Sequence, residues 1–251
     1  MTSVLQVIGV HKDYGRKGFR TKVLKGIDLT VEQGEFISIM GPSGAGKTTL
    51  LNLMSTLDVA TSGQIILDGT DLSTVNQKKL SAIRREKIGF IFQDYSLLDN
   101  MSIRDNIALP LALGRKKTQA ILDKVEEMAQ LFGITHHLDK YPYELSGGQK
   151  QRAAAARALI TNPSVIFADE PTGALDSRSS TDLLECLKRL NETTGATIVM
   201  VTHDPFSASY SNRVYMLSDG NVKCQLDKGE SRKVFYNQIL DLLAVMGGDV
   251  E

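Results

Sequence analysis

The stretch FISIMGPSGAGKTTLLNLM, residues 36–54, decides the fold class of this chain. Its apolar run at 36–40 predicts a short buried strand, and residues 48–57 predict a helix. Between them, GPSGAGKT matches the pattern G-x-x-x-x-G-K-[ST], whose glycines let backbone N–H groups close around a phosphate. The alternative is a glycine-rich turn that only joins strand to helix. It is disfavoured because strand and helix flank the motif in the order that the motif requires.

The loop and the helix behind it predict a site for the phosphates of a nucleoside triphosphate. A helix presents its positive N-terminal end to an anion, and Lys47 is placed to reach the β- and γ-phosphates. The hydroxyl of Thr48 is placed to ligate Mg²⁺. The candidate nucleotide-binding residues of this segment are Gly41, Pro42, Ser43, Gly44, Ala45, Gly46, Lys47, Thr48 and Thr49.

Outward from the loop, strand and helix patterns alternate along most of the chain. Apolar, β-branched runs predict further strands at 4–10, 23–31, 65–67, 88–92, 165–168 and 196–202. A helix is predicted at 179–191, and the runs at 213–217 and 222–226 predict a hairpin around Asp219 and Gly220. This alternation predicts an α/β fold with a mostly parallel sheet and additional antiparallel strands.

Two segments depart from the alternation. From residue 95 to 161 the strand patterns cease, and helical spacing appears at 117–132 and 149–160. The last segment, 233–246, repeats apolar residues at helical spacing and predicts an amphipathic helix. We therefore expect a nucleotide-binding core at 1–93 and 162–227, a helical insert at 94–161 and a helical tail at 228–251.

The composition disfavours several functional classes. The chain has 251 residues, in which 29 Lys and Arg balance 29 Asp and Glu, whereas a binder of bare duplex DNA usually shows a basic excess. Its two cysteines, Cys186 and Cys224, fit neither a metal-ligand spacing nor a disulfide framework, which favours a reducing compartment. The longest apolar runs, such as 107–113, are far shorter than the roughly 20 residues that cross a bilayer.

Two successive acids, Asp169 and Glu170, follow the apolar strand at 165–168. A carboxylate at the C-terminal edge of a strand beside a phosphate loop can hold Mg²⁺ through water, which suits Asp169. Glu170 can orient and deprotonate an attacking water. Taken alone, the pair is equally well explained as the acidic start of a helix, because Pro171 suits a first helical position. The segment LSGGQ at 145–149 also opens a helix, whose N-terminus is a ready anion site.

In their order along the chain, these motifs resemble those of ABC-type ATPase subunits. The matching set is Tyr14, the loop at 41–48, Gln93, LSGGQ at 145–149, Asp169 with Glu170, Ala-Leu-Asp at 174–176, and His203. The resemblance implies a P-loop NTPase core with a mostly parallel sheet, an antiparallel β subdomain and a helical insert, an ATPase activity, and ATP and Mg²⁺ as ligands. The residues that it marks as catalytic are Glu170, His203, Gln93 and Lys47. Those that it places at the metal are Thr48, Gln93 and Asp169.

The resemblance also implies roles for residues far from the loop. Tyr14 would stack on adenine, its alternative being a tyrosine at a strand end. Gln93 would touch Mg²⁺ and water, and His203 would contact the γ-phosphate unless it is a strand-end histidine without a task. Five residues would bind ATP across the interface with a second copy of the chain, whose phosphate loop holds that ATP: Ser146, Gly147, Gly148, Gln149 and Asp176.

Within the family, the segments at 90–98 and 168–177 resemble a branch that contains lipoprotein-release, macrolide-efflux and peptide-antibiotic resistance systems. The segments at 88–99, 141–152 and 199–208, with the tail, are most similar to the ATP-binding subunits of bacitracin-export (Bce-type) transporters. That likeness implies a multi-span permease, a sensor kinase reached through it, and a cytoplasmic position on the inner face of the bacterial plasma membrane. The alternatives are a lipoprotein-release or macrolide-efflux ATPase and, more distantly, a soluble ABC ATPase acting on DNA or ribosomes.

Two surface segments have open interpretations. Leu97, Leu98 and Met101, just past Gln93, either receive a coupling helix of the permease or cover the helical insert. The basic run at 115–117 either meets anionic headgroups or is a solvated loop.

Overall fold

The computed structural model describes residues 2–16, 19–114 and 117–247. Its strands are β1 (Ser3–Arg16), β2 (Phe19–Glu32), β3 (Phe36–Met40), β4 (Ser62–Leu67), β5 (Thr70–Asp71), β6 (Ile88–Ile91), β7 (Val165–Asp169), β8 (Ile198–Val201), β9 (Arg213–Ser218) and β10 (Asn221–Asp227). Its helices are α1 (Lys47–Met54), α2 (Gln77–Lys87), α3 (Ile103–Leu113), α4 (Thr118–Leu131), α5 (Gly147–Leu159), α6 (Ser177–Thr194), α7 (Pro205–Ala208) and α8 (Arg232–Gly247). Arg115 and Lys116 of the basic run lie outside the described residues, as do residues 248–251 of the tail.

A six-stranded sheet in the order β10-β9-β3-β8-β7-β6 forms the centre of the fold. From β9 to β6 the neighbouring strands are parallel, and only β10 pairs antiparallel to its neighbour. Every residue of β3 and β8 is buried, as expected for parallel strands covered on both faces. The strand ends Ile39 and Asp169 both pair with Val201 of β8, so the loops that follow β3, β7 and β8 leave the sheet at one edge.

A second sheet, β2-β1-β4-β5, is antiparallel and confirms the expected additional strands. β1 is longer than the predicted strand at 4–10, because its pairing with β2 continues through several register shifts to Arg16. Tyr14 therefore lies within a strand, opposite Thr21, and not at a strand end. The sequence missed this extension because residues 11–16 are mostly polar, and the extension depends on their pairing with β2.

Helix α2 was not predicted from the sequence. Its residues QKKLSAIRREK are mostly polar, and Leu80 alone among them is buried, so its apolar periodicity is weak. The helix begins at a side-chain cap instead, since Asn76 accepts a hydrogen bond from the backbone N–H of Lys79.

Between residues 94 and 161, the part that the structure describes has only helical regular elements, which confirms the predicted absence of strands. Helices α3, α4 and α5 pack together, with Ile107, Val125 and the alanines of α5 in a shared core. The predicted cap of α3 is also confirmed, because Ser102 accepts from the N–H of Asp105. The limits of the three expected parts of the chain remain predictions.

The tail forms helix α8, as the apolar spacing predicted. Phe235 and Ile239 are buried against Met40, Val214 and Met216 at the β9 side of the central sheet. In the described part of the chain, no helix combines the length and the hydropathy that a bilayer crossing demands.

Candidate active site

The phosphate loop follows β3 and enters α1 without a side-chain cap. The residue before the helix, Gly46, has φ 100° and supplies no capping side chain. A Cβ at Gly46 would lie 2.7 Å from the Leu24 side chain, and one at Gly41 would clash with the carbonyl oxygen of Leu217. Both positions therefore require glycine. Because nothing else caps it, the first turn of α1 offers free backbone N–H groups to an anion.

Lys47, in the first turn of α1, is buried behind this loop. Its ammonium donates to the carbonyl oxygens of Gly41 at 2.8 Å and Pro42 at 2.9 Å. Burial lowers the pKa of Lys47, while the nearby carboxylates of Glu170 and Asp169 oppose that shift. The ammonium is thus bound only by two neutral carbonyl oxygens of the loop. A phosphate, which is negatively charged, would bind it more strongly.

Asp169 ends β7 and faces the same edge of the sheet. Its pKa is raised, first by burial and second by the neighbouring Glu170, although Thr48 and Lys47 oppose the shift. Within the described residues its Oδ1 atom is buried without a hydrogen-bond partner. A partly desolvated carboxylate with one unpartnered oxygen, hydrogen-bonded to a threonine hydroxyl, has the donor chemistry that Mg²⁺ prefers. The residues present therefore fit the metal that the sequence predicts.

Glu170 adopts the left-handed backbone conformation, with φ 43°. Such a conformation is costly for a residue with a Cβ and recurs at functional sites. Its backbone N–H donates to the carbonyl oxygen of Val201, and its Oε2 atom lies 2.7 Å from Nδ1 of His203. The acid and the histidine, which are 33 positions apart in sequence, thus form one pair at the ends of adjacent strands.

A cavity of about 570 Å³ joins the loop to this pair. Its polar lining includes Ser43, Lys47, Glu170 and His203. Its apolar lining includes Leu243 and Met246 of α8, a contribution that the sequence did not predict. The volume is within the usual range for small-molecule sites, about 300–1,000 Å³.

Gln93 lies just beyond β6, near the turn that follows Glu170. The turn approaches so closely that a Cβ at Gly173 would be 2.8 Å from the Gln93 amide nitrogen. Gln93 is therefore close to the turn that follows Glu170, and its contact with Mg²⁺ and water remains a prediction.

Sequence reasoning missed Gln151, which connects these segments from α5. This residue is fully buried, and its Nε2 donates to the carbonyl oxygens of Phe92 at 3.2 Å and Pro171 at 2.7 Å. One side chain thus fixes the residue before Gln93 and the residue after Glu170. The available signal was a lone amide among the alanines on the buried face of α5.

The segment LSGGQ forms a helix start of a different kind. Ser146 accepts from the N–H of Gln149, and the Gln149 side chain accepts from the N–H of Ser146, so that both residues close a capping box. Cβ atoms at the two glycines would each lie 2.8 Å from a hydroxyl oxygen, that of Tyr95 for Gly147 and that of Ser179 for Gly148. The glycines are therefore needed for close packing around this helix start.

Asp176 lies near this helix start and does not line the cavity. It caps α6, accepting from the backbone N–H and the hydroxyl of Ser179, and these hydrogen bonds lower its pKa. Ser179 is the residue that packs against Gly148, so the structure brings Asp176 and LSGGQ together. Neither Asp176 nor residues 146–149 line the cavity at the phosphate loop.

Tyr14 lies near Thr49 of α1 and Asp58, which follows that helix. The residue is 43% exposed, and its hydroxyl donates to Oδ2 of Asp58 at 2.6 Å. Burial and this hydrogen bond raise the pKa of Tyr14, while a hydrogen bond with Thr49 of α1 lowers it. The tyrosine is therefore anchored beside the helix that carries the phosphate loop, with part of its ring open to solvent.

The chain is similar to known proteins over most of its length. A family model described as ABC transporter matches residues 24–173. The bacitracin export ATP-binding protein BceA of Halalkalibacterium halodurans is 51% identical over 247 residues, which cover 98% of each chain. The macrolide export ATP-binding/permease protein MacB of Neisseria gonorrhoeae is 43% identical over 223 residues, which are 88% of this chain but 34% of that protein.

Among solved structures, a dimeric post-hydrolysis state of the ATP-binding cassette MJ0796, bound to ADP and Pi, is similar with a TM-score of 0.82 and 37% identity. The match covers 90% of this chain and 100% of that one. The family model, these relatives and the geometry of the loop agree with one another. The chain therefore belongs to the ABC transporter family, as an ATP-binding and ATP-hydrolysing subunit.

Proposed function

We propose that two copies of this chain clamp ATP between the phosphate loop of one copy and the LSGGQ helix start of the other, and that hydrolysis releases the clamp. The single observation that carries this proposal is the separation of the two helix starts. The first turn of α1 is uncapped and lines the cavity, whereas Ser146 is exposed and lies outside it. The dimeric state of MJ0796 supports the same arrangement.

Each catalytic residue has a role that its position suits. Lys47 binds the β- and γ-phosphates, and Glu170, oriented by His203, accepts a proton from the attacking water. Thr48, Gln93 and Asp169 would hold Mg²⁺, which when bound would neutralise charge on the phosphate oxygens. Tyr14 would stack on the base beside α1.

The experiment compares the wild type with Glu170→Gln in the presence of ATP. We expect the variant to lose ATPase activity by about 10²–10⁴-fold, because general-base catalysis is removed, and to accumulate as a dimer by light scattering. Glu86→Gln, an exposed substitution on α2, is the matched control and should stay active. A Glu170→Gln protein that remains monomeric with ATP would contradict the clamp.

We also propose that a permease docks beside Gln93. A groove of about 540 Å³ separates α2 and β6 from α3, with Phe90, Leu109 and Leu113 on its apolar side and Arg84 and Arg85 on its basic side. This lining suits an apolar cytoplasmic segment that carries an acidic residue. Of the three residues that the sequence singled out, Leu97 packs on the helical core, which supports a covering role for it, and Leu98 is exposed.

Leu98 lies two residues beyond Ser96 of the groove lining, and Leu98→Asp tests docking at this end of the groove by co-purification with the co-expressed permease. We expect the variant to lose the permease and to keep its affinity for ATP. Leu122→Asp, an exposed leucine on α4 away from the groove, should retain the permease. Undiminished permease binding by Leu98→Asp would reject this contact.

We infer that the transported or released molecule is a bacitracin-like antimicrobial peptide, because the likeness to BceA extends over both chains in full. By the same resemblance, the chain is peripheral on the inner membrane face and reaches a sensor kinase through the permease. The second candidate, macrolide efflux or lipoprotein release, rests on the likeness to MacB. Deleting the chain should sensitise its host to bacitracin and spare macrolide resistance. The reverse pattern would favour the second candidate.

A further inference from the structure

Tyr14 contacts Asp58 and the buried Lys12. Nζ of Lys12 donates to Oδ1 of Asp58 and to the carbonyl oxygen of Val59, both at 2.7 Å. The same ammonium lies 4.6 Å from the centre of the Tyr14 ring. Lys12 is 8% exposed, which is unusual for a lysine and requires compensating partners.

Asp58 is the common partner in this cluster. One carboxylate oxygen accepts from Lys12, and the other accepts from the Tyr14 hydroxyl. Burial alone would raise the pKa of Asp58, but these hydrogen bonds outweigh it and lower the pKa. Asp58 therefore stays ionised and keeps both partners in place near neutral pH.

We propose that Lys12 and Asp58 are positioning residues that fix Tyr14 for stacking on the nucleotide base. The inference rests on the proposed role of Tyr14 and adds how the chain prepares that role. The ammonium covers one face of the ring, so a base stacks on the opposite face. The bond to Asp58 holds the ring in one orientation before the base arrives.

This arrangement changes affinity because an exposed side chain loses rotamer freedom when a ligand immobilises it. That loss corresponds to about twofold to tenfold in Kd for one side chain. Tyr14 is 43% exposed, and its hydroxyl bond to Asp58 removes much of that freedom in advance. Lys12 and Asp58 contact Tyr14 and would act on a base only through its ring. The arrangement should therefore strengthen the binding of any aromatic base and not distinguish one base from another.

The test measures the dissociation constants of ADP and of pyrophosphate, which shares the phosphate chemistry but lacks the base. Tyr14→Phe removes the hydroxyl and keeps the ring, and Asp58→Asn keeps the shape of its side chain and removes the charge. We expect each variant to weaken ADP by about threefold or more and to leave pyrophosphate unchanged. Asp13→Asn, the neighbouring acid in β1, is the matched control and should bind both ligands as the wild type does.

The double variant separates positioning from a merely structural role. If Asp58 acts through the Tyr14 hydroxyl, the double variant Tyr14→Phe with Asp58→Asn binds ADP no more weakly than either single variant. Additive losses, an equal loss for pyrophosphate, or unchanged ADP binding in Asp58→Asn would each overturn the inference.

Tyr14→Ala distinguishes this inference from the base stacking on which it rests. Stacking predicts a loss of ADP affinity of about fivefold or more in this variant. An alanine variant with wild-type ADP affinity removes the stacking role and the positioning role together. A weakened alanine variant beside an unaffected Asp58→Asn removes the positioning role alone.

Discussion

Glycine-rich motifs lie at the starts of both α1 and α5, yet the two helix starts differ in chemistry. Gly46 leaves α1 without a side-chain cap, while Ser146 and Gln149 cap α5 reciprocally. The start of α1 faces a cavity that also contains Lys47 and Glu170, whereas the start of α5 faces none of it. The free backbone N–H groups of an uncapped helix start can bind an anion. A capped helix start has part of these groups satisfied within the chain and can therefore remain exposed.

This contrast supports the proposal that the chain carries two halves of a site and not one complete site. In that proposal the half at α1 combines Lys47 with Asp169, Glu170 and His203, which follow or end neighbouring parallel strands. The half at α5 is supported by Ser179 and Asp176, which belong to another helix and lie outside the cavity. Substitutions in the two halves should therefore fail in different ways.

Lys47→Ala should give the largest effect. Its ammonium is buried at the mouth of the phosphate loop, and its loss removes the charge that meets the phosphates. We expect ATPase activity to fall by about 10³-fold and ADP binding to weaken as well, measured by phosphate release and calorimetry. Lys78→Ala, an exposed lysine on α2, is the control. Retained activity in Lys47→Ala would contradict the phosphate-binding role proposed for the start of α1.

Ser146→Arg should separate hydrolysis from binding. Ser146 is exposed, so an arginine fits the isolated chain, but it would obstruct a facing copy. We expect ATPase activity to fall by about 10²-fold with ADP affinity unchanged, because the α1 half remains intact. Loss of the cap should lower the melting temperature by only about 2–4 °C. Loss of ADP binding would instead indicate that both helix starts of a single copy belong to the same nucleotide site.

His203→Ala tests the pair at the end of the cavity. The histidine holds Glu170 through a contact of 2.7 Å, and its removal leaves the acid present but less well oriented. We expect kcat to fall by about tenfold to a hundredfold with a smaller change in KM. His136→Ala, an exposed histidine, should be neutral. A wild-type kcat in His203→Ala would mean that this histidine has no catalytic task.

Gln151→Leu should have the smallest effect on activity but a clear one on stability. The buried amide donates to the carbonyl oxygens of Phe92 and Pro171, and leucine leaves that of Pro171 without its donor, whereas that of Phe92 keeps the N–H of Tyr95. We expect the free energy of unfolding to fall by about 1–3 kcal/mol, measured by denaturant titration. Gln130→Leu, on the exposed side of α4, is the comparison. Equal stability of the two variants would show that α5 does not brace the α1 half.

Much of this molecule follows from local patterns. The phosphate loop, most of the strands, the helix-only stretch and the tail helix were predicted from spacing and turn chemistry, whereas β5, α2 and α7 were not. Helix α2 was missed because it buries a single leucine, and the extension of β1 was missed because the pairing with β2 decides it. In both cases the sequence signal is weak where neighbouring elements supply the stability.

The sequence by itself determined the family and the phosphate loop and pointed to the acids and the histidine, because each motif is a short run of residues and the order of the motifs is part of the sequence. Only the tertiary structure decided that Glu170 meets His203, that Gln151 bonds to two distant carbonyls, and that Asp58 holds Tyr14. Such contacts join segments from different elements, and their geometry is set by how the sheet and helices pack. Local secondary-structure propensities do not predict that packing.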